Sequence, residues 1–136
     1  ILSCRVYGQQ HAARSIFFAL YALQHRGQES AGICTSHMHQ FHLVREMGLV
    51  SQVFTEAHID SLKGRLGIGH TRYSTAGGYT RTNAQPFLIE TDLGRIAVAH
   101  NGQVSGVLRL LGCPPKERAW RSDTAKILPF AVQCAL

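Results

Sequence analysis

Three features of this 136-residue sequence predict an α+β fold built on antiparallel sheet. Apolar residues Ala12, Ile16, Leu20 and Leu23 recur at helical spacing. Two pairs of short β-prone segments each flank a turn signal, one near residues 37–39 and one at Asp92-Leu93-Gly94. Helix-like stretches return after residue 104, so helices lie outside paired strands.

The elements follow in chain order. Residues 9–24 read as a helix whose stripe is widened by Ala13, Phe17 and Tyr21, which predicts burial against a sheet. His25-Arg26-Gly27 ends it: cationic side chains are followed by a glycine able to take the left-handed conformation. Residues 30–36 and 40–46 read as strands around a histidine-containing turn. Thr55 caps a short helix over 56–62 that stops at Gly64. A strand over 66–73 runs into the Gly77-Gly78 loop, and residues 87–91 and 95–100 form the second hairpin. Residues 104–111 read as helical, Pro114-Pro115 interrupts, and residues 122–136 begin another helix capped by Ser122 or Asp123.

Composition narrows the function. A hydrophobic content of 45% with 16% charged residues describes a globular chain of one domain. The longest apolar run, residues 16–23, falls far short of a membrane span, and no signal-peptide pattern opens the sequence. Fourteen Lys and Arg against eight Asp and Glu give a net charge of +6. The cations are scattered without interleaved aromatics, which describes a solvated surface and not a nucleic-acid face. Cys4, Cys34, Cys113 and Cys134 lie far apart, with no Cys-x-x-Cys spacing for zinc or a small disulfide scaffold. Reduced cysteines and a cytoplasmic location are therefore expected. His37-Met38-His39-Gln40-Phe41-His42 lacks an accompanying carboxylate or cysteine and reads as a hairpin turn, so no metal site is assigned.

The chemistry concentrates in Gly69-His70-Thr71-Arg72-Tyr73-Ser74-Thr75-Ala76-Gly77. Its arginine offers a planar fork suited to bidentate capture of a carboxylate or phosphate. Three further segments accompany it: Leu23-Gln24-His25-Arg26-Gly27-Gln28-Glu29-Ser30-Ala31-Gly32, Asn83-Ala84-Gln85-Pro86-Phe87 and Ala99-His100-Asn101-Gly102. Together, and in this order, they resemble the class II glutamine amidotransferase domain of the amidophosphoribosyltransferase family. The resemblance runs from about Tyr7 to Val104, and Tyr73 stands where glucosamine-phosphate synthases usually carry tryptophan.

The resemblance implies an N-terminal-nucleophile hydrolase-like αββα sandwich of antiparallel sheets. It also implies hydrolysis of the glutamine side-chain amide by an N-terminal cysteine whose own α-amine is the base. On that reading Arg72 pairs with the glutamine α-carboxylate, while Tyr73 and Thr75 shape the pocket. Asn101 and Gly102 supply the oxyanion donors, and Asp123 accepts the substrate α-amine. Each residue also has a plainer role. Arg72 could hold a neighbouring loop, Tyr73 could pack in a core, Asn101-Gly102 is a favoured hairpin turn, and Asp123 is a helix cap. His25, Arg26, Gly27 and His70 receive structural roles only.

Spacing counted back from Gln24-His25-Arg26-Gly27 places the family nucleophile at or just before Ile1. Isoleucine offers an amine but no thiol. A Cys-Gly start ahead of Ile1, processing to expose Cys4 as nucleophile, or an inert homologue are the three readings of this departure. The expected organisation is a single partial amidotransferase domain over residues 1–136, incomplete at its C-terminus, without a phosphoribosyltransferase domain. Magnesium and iron–sulfur ligands are expected only in that missing region. Glutamine is the expected partner, with homo-oligomerisation expected of a full-length protein.

Overall fold

The structure, a computed structural model, describes residues 2–73, 81–91 and 94–100. Sheet and helix alternate in an α+β arrangement with antiparallel pairing throughout. The first sheet contains β1 (Leu2–Tyr7), β2 (Ser30–His37), β3 (Gln40–Met47) and β4 (Leu66–Arg72), in the order β1-β4-β2-β3. A hairpin of β5 (Phe87–Thr91) and β6 (Gly94–Val98) forms the second.

Helix α1 (Ala12–Ala22) lies on one face of the four-stranded sheet and supplies Ala13, Ile16 and Leu20 to its core. The seat for this helix is made by glycines. A Cβ on Gly67 would stand 2.8 Å from Ile16 Cδ1, and one on Gly69 would meet Leu20 Cδ1 at 2.9 Å and collide with Ile16. Side chains at those positions would lift the helix off β4. Ala31 and Ile33 of β2 share this face, joined by Val50 and Val53 of α2 (Val50–Val53) and Ile59 of α3 (Glu56–Ser61). Thr55 caps α3 as expected, its Oγ1 accepting from the His58 N–H at 3.3 Å.

Several expectations shift by a few residues, and one strand and one α-helix are additional, with a further 3₁₀ turn at Arg81–Asn83. The first helix is shorter than the 9–24 stripe and passes into a 3₁₀ turn at Gln24–Arg26. Gly27 is extended, with φ −165°, and not left-handed. Its reason is proximity: a Cβ there would stand 2.8 Å from the Thr71 backbone carbon. Gln24 supplies the termination instead, donating to the Gly27 carbonyl at 2.6 Å and accepting from the Val50 N–H at 2.5 Å. The β2–β3 turn falls at Met38 and His39, both with positive φ, the backbone of a two-residue primed turn. Strand β1 and helix α2 are the additional elements. The helices expected over 104–111 and 122–136 lie outside the described residues.

Among the described residues, no helix is long and apolar enough to cross a membrane.

Candidate active site

Strand alternation divides the chemistry of the sheet between two faces. In the β1–β4–β2 register, Cys4 pairs with Gly69 and Ile33 also pairs with Gly69, all on the α1 face. Ser3 pairs with His70, which pairs with Gly32, and Ser30 pairs with Arg72. Those residues share the opposite face, over which the β5–β6 hairpin lies. One face is thus an apolar seat and the other a polar floor.

Arg72 ends β4 on that floor. Its Nη1 donates to Glu29 Oε1 at 3.1 Å, with the two side chains only 8% and 6% exposed. The backbones are tied as well: the Glu29 N–H donates to the Arg72 carbonyl at 3.0 Å, and the Glu29 carbonyl accepts from the Gly48 N–H at 2.8 Å. An ion pair this buried costs desolvation, which its Coulomb attraction must offset, so the guanidinium is held in one place and orientation. Among the described residues, Glu29 Oε2 and Ser30 Oγ have no hydrogen-bond partner although both are buried. Buried polar atoms are ordinarily paired, so both oxygens beside the fixed guanidinium can accept a further donor.

A second set of contacts brings the 83–86 segment and the end of β6 over the floor. Arg45 Nη1 donates to the carbonyls of Ala84 at 2.8 Å and Pro86 at 3.1 Å, and its guanidinium lies 5.5 Å from the centre of the Phe87 ring. Burial first, and Arg81 second, lower the Arg45 pKa. Gly32 makes the approach possible, since a Cβ there would collide with the Gln85 carbonyl. Gln85 Oε1 then accepts from the His100 N–H at 2.7 Å, and His70 Nε2 donates to the His100 carbonyl at 3.2 Å. His70 is 1% exposed, and burial pushes its pKa down to about 4. It is therefore neutral near pH 7, and a donating Nε2 leaves Nδ1 as a bare acceptor, with no partner among the described residues.

The structure places the residues singled out from sequence as follows. Arg72 is on the floor, buried against Glu29. Tyr73 stands immediately past β4 and is 56% exposed. Cys4 is on the α1 face, packed against the apolar cluster, and burial raises its thiol pKa. Its side chain is thus on the side of the sheet away from Arg72 and His70. Cys34, on the floor face, is pushed up to about 11 by burial. Thr75, Asn101, Gly102 and Asp123 lie outside the described residues. Sequence reasoning gave no role to Glu29, Ser30, Gln85 or His100 and only a structural one to His70. Their presence inside the quoted motif segments was the available signal.

Among the described residues no group of three or more His, Cys, Asp or Glu could hold a metal ion. Cys4 and Cys34 lie on opposite faces of the sheet, so these two thiols are not placed to share an iron–sulfur cluster.

No protein-family model matches the chain. An amidophosphoribosyltransferase of Synechocystis sp. is 50% identical over 106 residues, covering 75% of this chain and 21% of the relative. That of Methanocaldococcus jannaschii is 47% identical over 98 residues, covering 72% and 21%. A chloroplastic amidophosphoribosyltransferase of Vigna aconitifolia is 53% identical over 97 residues, covering 71% and 20%. The chain thus spans about a fifth of the length of these relatives. A solved structure described as the allosteric regulatory enzyme of purine biosynthesis superposes with a TM-score of 0.72 at 34% identity, covering 81% of this chain and 24% of that one. The glutamine phosphoribosylpyrophosphate amidotransferase of B. subtilis, complexed with ADP and GMP, gives 0.68 at 34% identity, covering 80% and 23%.

Proposed function

As the chain belongs to the amidophosphoribosyltransferase family and shares its N-terminal-nucleophile hydrolase fold, we propose that it is the glutamine-hydrolysing part of such an enzyme. One observation carries the reading. Strand β1 enters the sheet at the end of β4 that bears Arg72, with Leu2 paired to Thr71. The leading end of β1 and the fixed guanidinium therefore share one end of the sheet, where an N-terminal nucleophile would need its substrate.

In the proposed reaction Arg72 receives the glutamine α-carboxylate while Glu29 holds its Nη1 from the other side. A guanidinium has five N–H donors in a planar fork and can serve more than one acceptor. Asp123 takes the α-ammonium, and Tyr73 and Thr75 border the pocket. The thiol of an N-terminal cysteine attacks the side-chain amide carbon, and the free α-amine takes the thiol proton. Asn101 and the Gly102 N–H receive the charge on the resulting oxyanion. Collapse breaks the carbon–nitrogen bond and releases ammonia, leaving a thioester. Water then cleaves the thioester to glutamate and restores the thiol. The ammonia serves phosphoribosylamine formation at the start of purine synthesis.

The nucleophile of this scheme is an N-terminal cysteine, whose place by family spacing is at or just before Ile1. Cys4 is a poor substitute, because it packs against the α1-face core and burial raises its thiol pKa, which disfavours the thiolate.

Glutamate release by the chain bearing an exposed Cys-Gly ahead of Ile1 tests the proposal. Turnover is expected, and Asn101→Ala should lower it by about 10²–10³ through loss of one oxyanion donor. A folded Cys-bearing chain that releases no glutamate overturns it and leaves a non-hydrolytic amidotransferase-like domain.

A further inference from the structure

We infer that His70 and Gln85 are positioning residues that clamp the His100 backbone from both sides, immediately ahead in sequence of the Asn101-Gly102 pair to which the glutaminase reading gives the oxyanion. The inference rests on the glutaminase reading for its catalytic consequence, but its geometry stands separately.

The two hydrogen bonds act on different peptide units. Gln85 Oε1 accepts from the His100 N–H at 2.7 Å and holds the peptide that joins residues 99 and 100. His70 Nε2 donates to the His100 carbonyl at 3.2 Å and holds the next one. A peptide unit is planar, so a hydrogen bond to its N–H or its carbonyl restrains the whole unit. With a bond on each of the two units, rotation about the His100 Cα is restrained. Strand β6 ends at Val98, so ladder pairing does not hold this stretch.

Both clamping side chains are themselves immobilised. His70 sits on the central strand β4, with Gly32 of β2 paired beside it and 1% of its surface exposed. Gln85 is 8% exposed, in a segment pinned by the two Arg45 hydrogen bonds and lying against Gly32. A charged imidazole would still donate from Nε2, but only the neutral form leaves the buried Nδ1 free of a second proton with no acceptor. Burial maintains that neutral form across physiological pH. An oxyanion hole works by donors already aimed before charge develops, which is the service a two-sided clamp provides.

The test compares Gln85→Leu and His70→Phe, which delete one arm each, with Gln85→Glu and His70→Gln, which keep an acceptor or a donor in place. In the Cys-bearing chain the deletions should lower kcat for glutamine hydrolysis about tenfold or more with KM changed less than threefold. That is below the ~10²–10³ expected for loss of an oxyanion donor itself. The conservative variants should restore most of the loss. Equal kcat in parent and both deletion variants overturns the inference, as does a change confined to KM.

An independent readout on the 136-residue chain as it stands is NMR hydrogen exchange at the His100 amide. Protection in the parent, lost at least tenfold in Gln85→Leu and retained in Gln85→Glu, supports the clamp; exchange at the unprotected rate in the parent refutes it. If the Cys-bearing parent is folded yet inactive, the glutaminase reading fails while the amide measurement still decides the clamp.

Discussion

At the scale of single residues, the site depends on side chains whose burial fixes their charge state. His70 illustrates the energetics. Its ordinary pKa near 6.5 is pushed to about 4, chiefly by burial, with Arg72 and His100 adding to the depression and the His100 carbonyl opposing it. Between those values the unfolded chain binds a proton that the folded chain refuses, so stability falls as pH drops from about 6.5 to about 4. The full effect is on the order of 3 kcal/mol. A pH series of thermal melts should therefore show the parent losing stability relative to His70→Gln across that window, with the difference levelling below it. Parallel pH profiles would show that His70 is not the buried neutral imidazole described. Sequence did not reveal this role, because a histidine on a strand carries no mark of which face it occupies or what covers it. The same is true of Glu29, whose contact with Arg72 joins residues 43 positions apart. Arg72 was legible for a different reason: a fork of donors between hydroxyl residues and glycines suits few purposes besides anion capture.

At the scale of elements, the four-stranded sheet keeps its two faces distinct because β4 alternates glycine with functional side chains. Gly67 and Gly69 turn toward α1, so Ile68, His70 and Arg72 face the hairpin. This makes the glycines structural requirements and not neutral spacers. Gly69→Ala places a methyl against Ile16 and Leu20 and should destabilise the protein by about 1–3 kcal/mol, read from denaturant unfolding. An unchanged midpoint would mean that α1 is not seated as described. The helical period of α1, the β2–β3 turn and the pairing of β5 with β6 were readable from sequence, since each has a local signature. Strand β1 was not, because Leu2–Tyr7 is short and mixes Arg5 with Cys4 and Val6; its pairing with β4 comes from partners 59 to 69 positions away. Helix α2 has only four residues and no periodicity to detect. Gly27 was read for its freedom of φ when its true constraint is the nearness of Thr71.

At the scale of the whole molecule, helix, sheet and hairpin stack so that the apolar energy of folding and the polar chemistry occupy opposite sides of one sheet. The α1 side contributes the buried cluster of Ile16, Leu20, Ile33, Val50 and Phe54. The other side gathers Glu29, Ser30, His70 and Arg72 at the end where β1 begins. The 34% identity to the two solved amidotransferase structures agrees with this layering, and about 50% identity to the curated relatives agrees with the motif series. The central claim is that this polar end binds glutamine through Arg72. Calorimetric titration of L-glutamine into the chain, Arg72→Lys and Arg72→Ala tests it, with circular dichroism confirming that each is folded. Binding by the parent should weaken about 10–100-fold in Arg72→Lys, which keeps the charge facing Glu29 but loses the planar fork, and further in Arg72→Ala. A folded Arg72→Ala chain that binds glutamine as tightly as the parent would contradict the account.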